Sequence, residues 1–205
     1  RLCQNRLINL AKDRRFKYIM VFKNYGASAG ASVEHAHTQI IALPMVPKTV
    51  HEELEGSLAY FKYRGRCVYC DIIEQEYEDK ERIVVENDGF IAFCPFVPRY
   101  PFECWIMPKD HNSDFNQMAD QDRHNLAAVL RELLARMKKT LADPSYNFYL
   151  HVPPVNYGDM MSYHWHIEVL PQLTRVAGFE WGTGFYVIRT EPGVAAGYLK
   201  KAQIS

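Results

Sequence analysis

Two stretches of this chain end in the same way, and that likeness constrains its fold more than any other feature. Residues 35–44 read HAHTQIIALP and residues 164–171 read HWHIEVLP. Each is His-x-His-x-(Gln or Glu), a short apolar run and a proline. Upstream of each lies a helix, a strand and a loop. The helices are expected over residues 1–13 and 114–141, and the strands are FKYIMVFKN (16–24) and YNFYLHVP (146–153). In the longer helix Leu126, Val129, Leu130, Leu133, Leu134 and Met137 fall at helical spacing. A repeated unit of this kind implies an internal duplication.

The first copy carries the more informative chemistry. TQIIALP reads as a strand closed by Pro44. Residues two apart on a strand face one way, so His35, His37 and Gln39 are expected to line one wall. Two partly buried, hydrogen-bonded histidines are the bland reading. A neighbouring turn favours the functional one, because imidazole serves as nucleophile, base and metal ligand. That turn is NYGASAGAS (24–32), in which Gly26, Gly30 and Ser32 allow close approach of backbone N–H groups to an anion.

Between the copies, KTVHEELEGSLAYFKYRG reads as a helix ending near Gly65. RIVVENDGFIAFC and FECWIMPK read as strands, with Asn87-Asp88-Gly89 as a hairpin turn. A glycine-rich segment, AGFEWGTGF, and a short helix around 192–201 close the chain. Twenty-four basic residues balance twenty-four acidic ones, which gives no field for nucleic acid. No apolar run approaches the length of a membrane span. The first residues, RLCQNRLINLAKDRRF, lack the apolar core of a signal peptide and read like the middle of an amphipathic helix. The expectation is therefore a cytoplasmic protein of which this chain is the C-terminal part, with the first copy incomplete.

Five cysteines without a secretory signal favour free thiols and metal over a disulfide framework. Cys67-x-x-Cys70 suits a zinc knuckle. Its redox alternative lacks a surrounding βαβ unit. Two more ligands are needed, and His111, just after a strand, and His164, the first His of HWH, are the candidates for a structural Cys2His2 zinc site. Cys94 and Cys104 are expected to be buried in strands, and His51 and His124 to be exposed on helices. His166 repeats the place of His37, but Glu168 stands where Gln39 does. A carboxylate there would repel a phosphate, so the second copy is read as catalytically silent and kept for metal binding and packing.

NYGASAGASVEHAHTQIIALP resembles the active-site segment of the galactose-1-phosphate uridylyltransferases, a branch of the histidine-triad superfamily. The match falls on Asn24, Gly26, Gly30, Ser32, His35, His37 and Gln39. PQLTRVAGFEWGTGFYV resembles the sugar-phosphate-contacting C-terminal part of the same family. The resemblance implies an α+β fold of duplicated histidine-triad-like repeats, an antiparallel sheet with packed helices. Residues 1–58 would end the first repeat, and residues 59–205 would form the second, with a zinc site and the sugar-phosphate segment. It implies that His37 is a nucleophile forming a nucleotidyl-histidine and that Gln39 bonds the phosphate. Asn24, Gly30, Ser32, Gly178, Phe179 and Glu180 would contact substrate. Cys67, Cys70, His111 and His164 would hold one zinc. His35 would be the last ligand of another, whose remaining ligands precede residue 1. Family members with iron in this half use positions matching His151, His164 and His166; the CxxC favours zinc.

The substrates implied are a nucleotide sugar and a sugar 1-phosphate, handled by a homodimer without nucleic acid or membrane partners. Uridylyl transfer between hexose 1-phosphates is the leading version. Adenylyl transfer from ADP-glucose to phosphate is its rival, because Ala36 replaces the family's usual proline as in the adenylyl-transferring branch. A zinc-stabilised nucleotide-binding module without turnover is the third reading.

Overall fold

A computed structural model describes residues 1–33, 35–157 and 160–204. Seven strands join in one sheet: β1 (Tyr18–Tyr25), β2 (Gln39–Leu43), β3 (Ile83–Glu86), β4 (Phe90–Phe93), β5 (Cys104–Pro108), β6 (Tyr146–His151) and β7 (His166–Pro171). Their order is β2-β1-β6-β7-β5-β4-β3, and every neighbouring pair is antiparallel. The helices are α1 (Leu2–Leu10), α2 (Lys48–Arg64), α3 (Val68–Asp79), α4 (Asp120–Thr140), α5 (Gly178–Thr183) and α6 (Pro192–Lys201).

The sheet places the two His-x-His copies about a local twofold. β1 and β6 lie side by side, each flanked outward by the strand of its own motif, β2 and β7. Phe22 faces Tyr149 across the centre; Gln39 lies beyond Phe22, and Glu168 beyond Tyr149. Trp105 continues the row past Glu168. Residues directly opposite share a face, so Gln39, Phe22, Tyr149, Glu168 and Trp105 line one surface. The alternate residues Val21, Leu150, Ile167, Val169 and Ile106 face the other way and are buried.

Helices complete the core. α4 packs on β3 and β4, and α6 wedges between α4 and β3. Val129, Leu133 and Met137 of α4 are buried at the expected spacing; full burial of each contributes roughly 1.5–3 kcal/mol. The helix expected over 114–141 is shorter than its pattern. Phe115–Gln117 form a 3-10 turn, and α4 begins at Asp120. Asp114 and Asn112 explain this, since their side chains accept from backbone N–H groups two residues on and favour a turn. The glycine-rich segment contains α5, which the composition concealed. The strand of the first motif begins at Gln39, so His35 and His37 lie on the approach to it rather than within it.

The turn after β1 depends on two glycines. Gly26 has φ 81° and Gly30 has φ 78°. A Cβ on Gly26 would collide with the Ser145 side chain and backbone, whereas one on Gly30 meets open space. Gly26→Ala is expected to destabilise the protein by about 2–4 kcal/mol in urea titrations and Gly30→Ala by about 1–2 kcal/mol, because only the first adds a clash to left-handed strain. Equal losses would show that backbone conformation alone sets the cost.

Candidate active site and metal centre

The first copy is the open one. The 3-10 turn Ala27–Ala29 turns several of its own donors inward: Ala29 N–H and Ala31 N–H bond to Gly26 O at 3.1 and 3.2 Å, and Gly30 N–H bonds to Ala27 O at 3.0 Å. Fewer N–H groups of the turn can therefore face outward than the sequence suggests, and Ser32 lies exposed just beyond. His37 is half-buried and His35 exposed, their ring centroids 5.7 Å apart. His37 Nδ1 lies 3.0 Å from His35 O. A carbonyl only accepts, so Nδ1 carries the proton and Nε2 keeps its lone pair. That is the tautomer a nucleophilic imidazole needs. Gln39, half-buried, sits two residues on, opposite Phe22.

The second copy has the same internal bond: His166 Nδ1 donates to His164 O at 3.1 Å. Its surroundings are closed. His166 is fully buried, with Trp105 stacked on its ring at 5.2 Å and Tyr69 of α3 at 5.3 Å. Glu168 accepts a hydrogen bond from Arg99, whose guanidinium also donates to the Tyr149 hydroxyl at 2.7 Å. No phosphate reaches His166 Nε2 without displacing Glu53, whose Oε1 is 3.2 Å away.

Two groups of donor atoms gather around this copy. In the first, Cys67, Cys70, His111 and His164 bring their ligand atoms within 4.8 Å of one another. Cys67 caps α3 and Cys70 lies in its first turn, where the helix dipole favours thiolates. Trp165 N–H bonds to Asn112 O at 3.0 Å and ties the His164 segment to that of His111. Cys70 Sγ is 3.3 Å from His111 Nδ1 and 3.7 Å from His164 Nδ1. A tetrahedral zinc with ordinary bond lengths separates sulfur and nitrogen ligands by about 3.5 Å, so these distances fit tetrahedron edges. The hydrogen bond between the two thiols pulls Cys67 down and pushes Cys70 up. The Nε2 atoms of both histidines are buried without partners among the described residues, so no protein group there opposes coordination through Nδ1.

The second group is Glu53, His151 and His166. Sequence reasoning missed Glu53, which lies on α2 nearly a hundred residues from its partners and carries no motif of its own. His164, considered with His151 and His166, points instead to the cysteines. Glu53 Oε2 accepts from His151 Nδ1 at 2.7 Å, and Oε1 accepts from Tyr69 OH at 2.8 Å. Burial raises the Glu53 carboxyl, but His166, His151 and Tyr69 outweigh it and hold it at about 2. Burial pushes His166 down to about 4. With its Nδ1 proton given to a backbone carbonyl, a neutral His166 points its Nε2 lone pair at a carboxylate, an arrangement that a cation between them would satisfy.

The remaining sequence-selected residues lie elsewhere. Gly178, Phe179 and Glu180 form the exposed start of α5, where Glu180 accepts from Ala177 N–H at 3.0 Å. The segment beyond returns to the sheet, with Tyr186 5.6 Å from Tyr100. Cys94 and Cys104 are buried, and His51 and His124 are exposed.

Cys67→Ser is expected to remove about one equivalent of zinc per chain and to lower the melting temperature by several degrees, because the site joins α3, the segment after β5 and the approach to β7. His166→Ala is expected to leave that zinc in place. Elemental analysis of both proteins decides; zinc that survives Cys67→Ser but not His166→Ala assigns it to the Glu53 group.

Comparison with known proteins adds an independent line. Residues 53–182 match the family described as galactose-1-phosphate uridyl transferase, C-terminal domain. Residues 1–46 match a domain of unknown function (DUF4931), N-terminal domain. The ADP-glucose phosphorylase of Arabidopsis thaliana is 38% identical over 204 residues, which are 98% of this chain and 57% of that protein. The galactose-1-phosphate uridylyltransferase of Thermotoga maritima is 30% identical over 209 residues, which are 98% of this chain and 65% of that protein. A crystal structure of the Arabidopsis ADP-glucose phosphorylase with bound ADP-glucose superposes with a TM-score of 0.92 at 37% identity, covering 100% of this chain and 64% of that one. The chain thus spans about six-tenths of the length of these relatives. It belongs to the galactose-1-phosphate uridyl transferase family.

Proposed function

We propose that this member of the family is a nucleotidyltransferase that takes a nucleoside monophosphate from a nucleotide sugar onto His37 Nε2. The observation that carries this reading is the tautomer of His37: its Nδ1 proton is bound to His35 O, which leaves Nε2 as the attacking atom in a partly open site. Nε2 bonds to the α-phosphorus as the bond to the sugar 1-phosphate breaks. An acceptor phosphate oxygen then takes the nucleotide from His37. Two displacements give ping-pong kinetics. Gln39, a neutral donor, would bond the transferring phosphate; Asn24, Gly30 and Ser32 would hold the nucleotide, and Gly178, Phe179 and Glu180 the sugar phosphate. Zinc held by Cys67, Cys70, His111 and His164 would be structural, and His35 would complete a further site with residues outside this chain.

Two versions differ in base and acceptor. Adenylyl transfer from ADP-glucose to phosphate is favoured by the 38% identity with the Arabidopsis enzyme. Uridylyl transfer between UDP-glucose and a hexose 1-phosphate is supported by the 30% identity with the Thermotoga enzyme. The exposed apolar side chains Phe179, Trp181, Phe185 and Val187 support an interface at this segment, read here as that of a homodimer. Five unpaired cysteines support a reducing, cytoplasmic setting. No helix among the described residues is long and apolar enough to cross a membrane. Residues 1–58 and 59–205 are read as the two repeat portions, supported by the matched settings of His37 and His166.

Incubation with ADP-glucose or UDP-glucose labelled at the α-phosphate tests both points. One nucleotide is expected to add to the peptide containing His37, and His37→Ala is expected to lower label exchange by at least about a thousandfold. Exchange that persists in His37→Ala would overturn the nucleophile, and the donor that labels the protein chooses between the versions.

A further inference from the structure

Asn24 stands at the end of β1, directly across from Asn147 on β6. Their side chains meet: Asn147 Nδ2 donates to Asn24 Oδ1 at 2.8 Å and to Ala29 O at 2.9 Å. Asn147 Oδ1 accepts in turn from Gln172 Nε2 at 2.9 Å. Both N–H groups of Asn147 and its oxygen are thereby engaged.

The direction of this chain is fixed from one end. Ala29 O is a backbone carbonyl and accepts without alternative, so Asn147 must turn its Nδ2 toward it. The other hydrogen of that nitrogen then meets Asn24, which must present its oxygen. Asn24 Nδ2 is left without a partner among the described residues. Asn24 lines a cavity of about 310 Å³ on the sheet surface, together with Asn147, Phe22, Arg99, Tyr149 and Gln172. A ligand there meets N–H groups at Asn24 and must offer an acceptor oxygen, as a phosphate, ribose or base carbonyl does.

We infer that Asn147 is a positioning residue, oriented by Ala29 O and supported by Gln172, that sets the Asn24 amide as a hydrogen-bond donor toward the nucleotide sugar. The inference rests on the nucleotide-sugar reading above. Asn147 lines the same cavity, but both hydrogens of its amide are committed within the chain, so it acts on a ligand through Asn24. It also pins the buried Ala29 of the glycine turn to β6, so a purely structural role must be separated from the positioning one.

A double-mutant cycle separates them. Affinities for ADP-glucose and for UDP-glucose are measured by calorimetry on the whole protein carrying His37→Ala, which prevents turnover. Asn24→Ala is expected to weaken binding of the preferred nucleotide sugar about tenfold, and Asn147→Leu to weaken it by about the same factor. The two together should weaken it no further than either alone, because without Asn24 there is no amide to orient. Asn147→Ala serves the same cycle where the leucine variant does not fold. Losses that multiply to about a hundredfold, or an Asn147 variant that binds like the parent, overturn the positioning role while the functional reading stands. A parent protein that binds neither nucleotide sugar overturns both.

Discussion

The pairing of β1 with β6 holds together everything on the polar face of the sheet. It brings the two His-x-His copies back to back, with Phe22 against Tyr149 at the centre and each motif strand on the outer side. The register is enforced from the opposite face, where Val21, Leu150, Ile167 and Val169 are buried. A slip of one residue would turn these out and bury Asn24 and Asn147 in their place. One set of apolar residues thus fixes the placement of both the open site and the closed one.

From that common frame the two copies diverge by charge and burial rather than by backbone. Both carry the bond from the second imidazole's Nδ1 to the carbonyl of the first. Two residues past the central pair, β1 bears Asn24 and β6 bears His151. The neutral Gln39 faces an open surface, whereas Glu168 is met by Arg99. The loop that delivers Arg99 is organised by Glu103, which accepts from Arg99 N–H at 2.7 Å, Tyr100 N–H at 3.2 Å and Trp105 Nε1 at 2.9 Å. A negative charge at the His-x-His-x position is tolerable where a guanidinium is supplied and no phosphate must enter. Residue 39 is a neutral carboxamide, and no guanidinium among the described residues pairs with it.

Much of this was legible in the sequence because it is local. The two motifs, the CxxC and the amphipathic stripe of α4 are each short-range patterns: the apolar ends of the motifs are strands, the CxxC opens α3 and the stripe is a buried helix face, although His35, His37 and His164 precede their strands. Cys67, Cys70, His111 and His164 could be grouped because each lies at the end of an element in one repeat, and element ends meet at a sheet edge. What was not legible is long-range. Glu53 sits among ordinary charged residues of α2, and its partners come from β6 and β7; no spacing encodes that contact. Asn147 carries no motif, and Gln172, though inside the PQLTRVAGF segment, is not singled out by it; their pairing follows from the β6–β7 register, as that of Asn147 with Asn24 follows from β1–β6. α5 was hidden because its glycines read as a flexible segment, although Glu180 accepting from Ala177 N–H supplies the helix start.

The charges around the closed copy lead one step further. Glu103 and Glu168 are buried, Glu53 is largely so, and the cation that the described residues pair with the first two is Arg99. Three carboxylates against one guanidinium leave two negative charges in a low-dielectric region, which is costly unless they are balanced. His151 and His166 are the groups in reach of Glu53. Protonation of His166 at Nε2 would offset part of this charge, but burial holds its pKa down to about 4. Two acidic side chains of the second repeat, Glu103 and Glu168, and Glu53 brought in by α2 thus set the closed site apart from the open one, where the neutral Gln39 stands.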